Sequence, residues 1–303
     1  MRLLAATVAV LMGLAAGTWG AVGYLYAGRP APRHAPVTGR GAVMYAATVT
    51  TPPRSTCAQY WRIAQDGGRY QVRDDYFFRN LPVCVRADGA PGFTVTRTTP
   101  GNGKGVLSYP NVFSGCEQVC TRDSRLPRRI SGLGSLTVTD DTTARAAGVW
   151  NDAVDMWVDT RPIRHGQART AEVMIWLKAR GFTPAGTPVT IGGTRYRLNW
   201  WRTRRVIGGK RVSWPLLIFT RTRPVSSVSV RIAPVLAYVA RMGLLSERDW
   251  LLNAEAGFEL WSGGRGLAVT HFAVWTPKPP RPPVRHLPKC PAGVRHCPKG
   301  GRP

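Results

Sequence analysis

Short runs that alternate apolar and polar residues, broken every few positions by glycine pairs, are what most restrict the folds open to this chain. Residues 69–73 alternate behind the Gly67-Gly68 turn, and residues 92–96 alternate again. Gly192-Gly193 and Gly208-Gly209 each separate two apolar runs, as hairpin turns in an antiparallel meander do. A long strand is predicted over 148–158, although Ala146-Ala147 before it has little strand preference. One stretch, 232–245, has helical spacing, with Val235, Leu236, Val239 and Met242 recurring on one face and Ser246 beyond its end. Many strands and one late helix predict a single all-β domain, a sandwich or barrel of roughly 250 residues.

Two glutamates sit in apolar strand-like runs: Glu172 within 171–177 and Glu259 within 256–261. A carboxylate half buried among aliphatic and aromatic neighbours is costly and usually persists for a function. Strand parity puts Glu172, Met174 and Trp176 on one face, and Val173, Ile175 and Leu177 on the core side. The same parity groups Glu259 with Trp261 and Asp155 with Trp157, while Phe258 and Leu260 point to the core. Two acids that each share a face with a tryptophan fit the paired carboxylates of glycosidic bond cleavage. A buried acid tied to an arginine is the plainer reading of any one of them. Trp61, Trp200, Trp201 and Trp214 are candidate sugar platforms. Trp250 and Trp275 are expected in the core, Glu255 at the surface, and His271 in a structural place on a strand.

Both ends differ from the middle. Residues 3–27 are uncharged behind Arg2, which marks export by a signal peptide or a retained anchor over 1–27. Residues 28–42 form a Pro/Gly/Arg linker, 43–276 the domain, and 277–303 a proline-rich basic tail without acids. The body is therefore expected outside the cytoplasm, secreted or anchored on the outer face. The net charge of +26 fits an arginine-rich surface coat or an attraction to anionic cell-envelope polymer, to which the tail would contribute. No RNA- or DNA-binding motif supports nucleic acid as a partner. Six cysteines in an exported chain are expected to form three local disulfides, Cys57 with Cys84, Cys116 with Cys120 and Cys290 with Cys297. The metal alternative, Cys290 and Cys297 with His286 and His296, matches no zinc signature well.

These segments together resemble a family. Residues 109–116, Trp150-Asn151 with Asp155-Met156-Trp157, residues 172–177, and residues 257–261 with Gly263-Gly264 and Gly266-Leu267 resemble glycoside hydrolase family 12. The resemblance covers about 55–276. It implies a β-jelly roll of two stacked antiparallel sheets, one helix on the outer face, and an open cleft on the concave sheet. It also implies an endoglucanase or xyloglucanase that cleaves β-1,4-glucan with retention. By matching position Glu172 would be the nucleophile, Glu259 the general acid/base, and Asp155 the nucleophile's hydrogen-bonding partner, on adjacent strands, with no metal or cofactor. Bacterial members also carry two local disulfides where Cys57–Cys84 and Cys116–Cys120 fall. Where such members read Asn-Asn-x-Trp on a cleft strand, this chain reads Asp74-Asp75-Tyr76-Phe77, which leaves Phe77 to stack on sugar and puts Asp75 beside it. Five cations between Arg202 and Arg211 surround a hairpin that resembles a cleft edge. A branched, decorated or charged glucan fits these changes, and a monomer is expected. A non-catalytic glycan- or wall-binding protein on the same fold is the alternative.

Overall fold

The computed structural model describes residues 54–276 except 59–61, 78–81, 88, 102–104, 118, 166–169 and 208–209. The expectations for 1–53, Trp61, the 277–303 tail and Cys290–Cys297 lie outside the described residues.

In chain order the strands are β1 (Arg54–Thr56), β2 (Arg62–Gln65), β3 (Tyr70–Tyr76), β4 (Cys84–Ala87), β5 (Phe93–Arg97), β6 (Ser108–Glu117), β7 (Val119–Cys120), β8 (Arg128–Arg129), β9 (Thr137–Thr143) and β10 (Gly148–Asp159). Then come β11 (Ala171–Arg180), β12 (Thr187–Ile191), β13 (Thr194–Arg202), β14 (Arg205–Ile207), β15 (Lys210–Val212), β16 (Pro215–Arg221), β17 (Ser227–Arg231), helix α1 (Ile232–Arg241), β18 (Trp250–Leu251), β19 (Asn253–Gly263) and β20 (Ala268–Trp275). A small sheet runs β1-β4-β5-β20-β9-β17, and a large one runs β12-β13-β16-β11-β10-β19-β6-β3-β2, so the fold is a β-jelly roll. The two sheets enclose the main core. Val72, Val112, Trp150, Val154, Val173, Ile175, Leu177, Phe258 and Leu260 enter it from the large sheet, and Val138 and Phe272 from the small one. Alternation leaves the intervening side chains of the large sheet on its other face, the cleft face.

Three features depart from the sequence reading. The pairing is not wholly antiparallel: β11 and β16 run parallel, with Glu172 opposite Leu216. The chain leaves β11, turns outward through the β12–β13 hairpin, and returns to β16 against β13, which gives β16 the direction of β11. The helix stops at Arg241, short of the predicted 245, because Gly243 takes φ 73°, the left-handed conformation that closes helices. Trp275, expected in the core, is 40% exposed on the last strand and donates from Nε1 to Thr139 Oγ1 at 3.0 Å.

The core also holds acids. Asp140 on β9 and Asp152 on β10 are fully buried between the sheets, and Thr142 Oγ1 donates to Asp152 Oδ2 at 2.6 Å. Burial pushes the Asp152 carboxyl up to about 7, and burial reinforced by the Asp152 charge pushes Asp140 well above the carboxylate range. Cys57–Cys84 and Cys116–Cys120 both form disulfides. No helix among the described residues is long and apolar enough to cross a membrane.

Candidate active site

The acids singled out in the sequence occupy neighbouring strands of the large sheet. Glu172 lies on β11 and Asp155 on β10. Glu259 lies on β19, and β10 runs between the two glutamate strands. The expected adjacency of those strands is thus corrected: a third strand separates them, and it carries Asp155. Register sets Glu172 opposite Trp157 and Glu259 opposite Asn151, so the pair is offset along β10 as well. Asn151, Ala153, Asp155 and Trp157 alternate onto one face of β10, away from Trp150, Val154, Met156 and Val158 in the core.

Each glutamate accepts a hydrogen bond from a neutral donor. Trp214 Nε1 donates to Glu172 Oε2 at 2.9 Å. Asn151 Nδ2 donates to Glu259 Oε2 at 2.5 Å, and the Glu259 amide donates back to Asn151 Oδ1 at 3.2 Å. Glu172 is half-buried, whereas Glu259 and Asp155 are buried. The Met156 amide donates to Asp155 Oδ1 at 2.7 Å. Tyr109 on β6 records how closely the acids gather: burial first, then the Asp155, Glu255 and Glu259 charges, push its hydroxyl well above the phenol range. That hydroxyl donates to the Ala153 carbonyl at 3.3 Å.

Glu255 is not at the surface, as its sequence setting suggested, but fully buried opposite Asp155. Arg73 Nη2 donates to both of its carboxylate oxygens, at 2.9 and 2.8 Å, and Asn253 Nδ2 donates to Oε1 at 2.5 Å. Arg73, itself 2% exposed, also reaches Asn111 Oδ1 and Asp75 Oδ2 at 3.1 Å through Nε, and its guanidinium stacks over Phe113. The two aspartates of β3 therefore part company. Asp75 turns to the cleft face beside Arg73, and Asp74 turns inward, fully buried, where Ser108 Oγ donates to it. Burial pushes the Asp74 carboxyl up to about 7. Gly257, between Glu255 and Glu259, lets β6 approach: a Cβ there would meet the Pro110 carbonyl oxygen at 2.1 Å.

Aromatic residues form two clusters on the same face. Met174 and Trp176 pack with Ala153, Leu216 and Ile218, joined by Phe182, Trp201 and Trp261. Trp157 packs with Trp214 and Leu252, joined by Trp250, whose ring carries the Arg129 guanidinium and which belongs here rather than in the main core. Of the expected sugar contacts, Met174, Trp157 and Trp176 are buried beneath the face, Trp261 is half-buried, and Phe77 is 43% exposed. Trp200 is exposed too, but it shares parity with the core residues Tyr196 and Leu198 and stands opposite Leu217, so it lies on the face away from Trp201 and the cleft, which corrects its place among the sugar platforms. The sequence reading missed Arg73, Tyr109 and Asn151, and it took Trp214 for a sugar platform, whereas Trp214 is buried and serves as the donor to Glu172. The alternation that exposed Glu172 also placed Arg73 and Tyr109 on the cleft strands, but their partners come from strands distant in sequence.

The glycosyl hydrolase family 12 model matches residues 85–276. The chain belongs to glycosyl hydrolase family 12. Among curated relatives it is 27% identical over 154 residues to the probable cellulase Cel12b of Mycobacterium tuberculosis (strain ATCC 25618 / H37Rv), covering 50% of this chain and 96% of the relative. It is 26% identical to endoglucanase S of Pectobacterium parmentieri, covering 58% of this chain and 68% of that protein. Among solved structures, a metagenome-derived family 12 endoglucanase superposes with TM-score 0.66 and 29% identity, over 75% of this chain and 98% of that one. The Rhodothermus marinus endoglucanase cel12A gives TM-score 0.64 and 29% identity, over 73% and 97% of the two chains. This family 12 protein is accordingly a glycoside hydrolase with a glucan substrate.

Proposed function

We propose that the protein is an exported, retaining endo-β-1,4-glucanase in which Glu172 is the nucleophile, Glu259 the general acid/base and Asp155 a positioning residue for Glu172. One observation carries this reading: two glutamates stand on one face of one sheet, on either side of the strand that bears Asp155. Asp155 is the diagonal cross-strand neighbour of Glu172, a span of roughly 7–8 Å between backbones. A glucan chain across this face passes between the two carboxyl groups.

The half-buried Glu172 carboxylate attacks the anomeric carbon while the glycosidic C–O bond breaks. Glu259 gives its proton to the departing oxygen, and a glycosyl ester to Glu172 remains. Water then enters, Glu259 takes its proton, and the new C–O bond displaces Glu172, so the configuration is inverted twice and retained. The Trp214 N–H on Oε2 fixes the rotamer of Glu172 and favours its anion before attack. The Asn151 amide fixes the orientation of Glu259, and Tyr109 and the Arg73–Glu255 pair hold the floor beside it, on the side away from Glu172. Closely spaced acids disfavour full ionisation, which helps keep one carboxyl protonated for the first step. The uncharged run at 3–27 and the two disulfides support export into an oxidising compartment.

The test uses the full chain on soluble hydroxyethyl cellulose, with reducing ends and anomeric configuration followed together. Glu172→Gln and Glu259→Gln should each abolish release while circular dichroism and glucan binding persist, and the first product from the parent should be the β-anomer. Undiminished hydrolysis by either variant, or an α-anomer first, would overturn the assignment. Binding without hydrolysis by the parent would instead favour a glycan-binding protein.

A further inference from the structure

No aspartate or glutamate occurs between Glu172 and Glu247, and that stretch supplies β12, β13, β16 and the part of β11 beyond Glu172, one flank of the large sheet. The cleft-face acids Asp75, Asp155, Glu255 and Glu259 come from outside this stretch. Arg197 on β13 stands opposite Thr220 on β16, which stands opposite Trp176 on β11, so the row of side chains that crosses the site reaches Arg197 before it ends on Pro188 of the edge strand β12. Arg195 and Arg197 have the same strand parity as Trp201, which packs on the cleft-face cluster. Beside them lies a groove of ≈ 460 Å³ lined by Arg195, Arg197 and Arg223 with Pro188, Thr190 and Thr222.

These three arginines are exposed, and none has an ion-pair partner among the described residues. Like charges gathered in one groove without a counter-charge repel one another, a cost that a bound anion removes. The guanidinium fork matches a carboxylate in plane and spacing, and it keeps its charge at any working pH. Thr190 and Thr222 add hydroxyls suited to sugar.

We propose that this groove is a subsite for carboxylate substituents on the polysaccharide, so that the preferred substrate is an acidic β-glucan and not a neutral one. The inference rests on the glucanase reading, since it extends the same row across the sheet. The acid-bearing half of the face would then hold the scission site, and the arginine flank would take the decorated arm of the chain.

The test compares carboxymethyl cellulose with hydroxyethyl cellulose, which share a backbone and differ in charge. The full-length parent should show a lower KM for the carboxymethyl polymer. Arg195→Gln/Arg197→Gln should shrink the KM ratio between the polymers by about five-fold, the scale of two exposed ion pairs. The control, Arg231→Gln/Arg241→Gln, removes equal charge from exposed positions at the end of β17 and on α1 and should leave the ratio unchanged. Equal KM values for the two polymers in the parent, or an equal loss in both double variants, would overturn the subsite and leave only diffuse attraction. Should neither polymer be hydrolysed, the glucanase reading falls. Affinity electrophoresis through each polymer then decides the subsite separately: selective loss of retardation in Arg195→Gln/Arg197→Gln supports it, and equal retardation of all three proteins refutes it.

Discussion

Arg73→Gln should unbalance the cleft floor through Glu255 more than through its own lost contacts. Arg73 is 2% exposed and Glu255 is fully buried, with both carboxylate oxygens within 2.9 Å of one guanidinium nitrogen. Taking the cation away strands a carboxylate in the sheet, which costs about 3–5 kcal/mol, whereas the intact pair contributes little beyond its own desolvation. For a domain this size that corresponds to a fall in Tm of roughly 6–20 °C. Arg73→Gln/Glu255→Gln removes both charges and leaves two amides able to bond each other, so most of the loss should return, to within about 1.5 kcal/mol of the parent. The single variant should also recover as pH falls, because protonating the lone carboxyl removes the buried charge. The assay is urea denaturation of the parent, both singles and the double across acid and neutral pH, read as a double-mutant cycle. Additive losses, with the double variant as unstable as the sum of the singles, would refute the reasoning.

The buried Asp74 predicts a second pH dependence. Its carboxyl is raised from 3.8 to about 7, so the native state keeps a proton that the unfolded chain has released; this stabilisation is full below about pH 4 and lost as pH rises through about 7. The shift is worth about 4 kcal/mol. Asp74→Asn should therefore flatten the fall in unfolding free energy between about pH 4 and 7, apart from the share due to Asp140 and Asp152, and an unaltered slope would sink the idea. Trp214→Phe keeps the ring beside Trp157 but deletes the donor to Glu172 Oε2. Loss of a hydrogen bond to a charged acceptor should lower kcat/KM by roughly ten-fold or more and move the acid limb of the pH–rate profile upward; an unmoved limb would show that Trp214 acts only by packing.

Strand content, the faces of Glu172, Asp155 and Glu259, and the core positions Val173, Ile175, Phe258 and Leu260 were legible in the sequence. Each depends on local alternation with a period of two, which a chain carries wherever its strands pair. The one helix was legible for the same kind of reason, through its own period, and only its end was hidden by the conformation of Gly243. What depends on which strands lie side by side was not legible. The insertion of β10 between β11 and β19, the parallel return of β16, the burial of Glu255 under Arg73, and the inward turn of Asp74 beside Ser108 all join residues far apart in the chain. Alternation says which way a side chain points, and only the order of strands in the sheet says what it meets there.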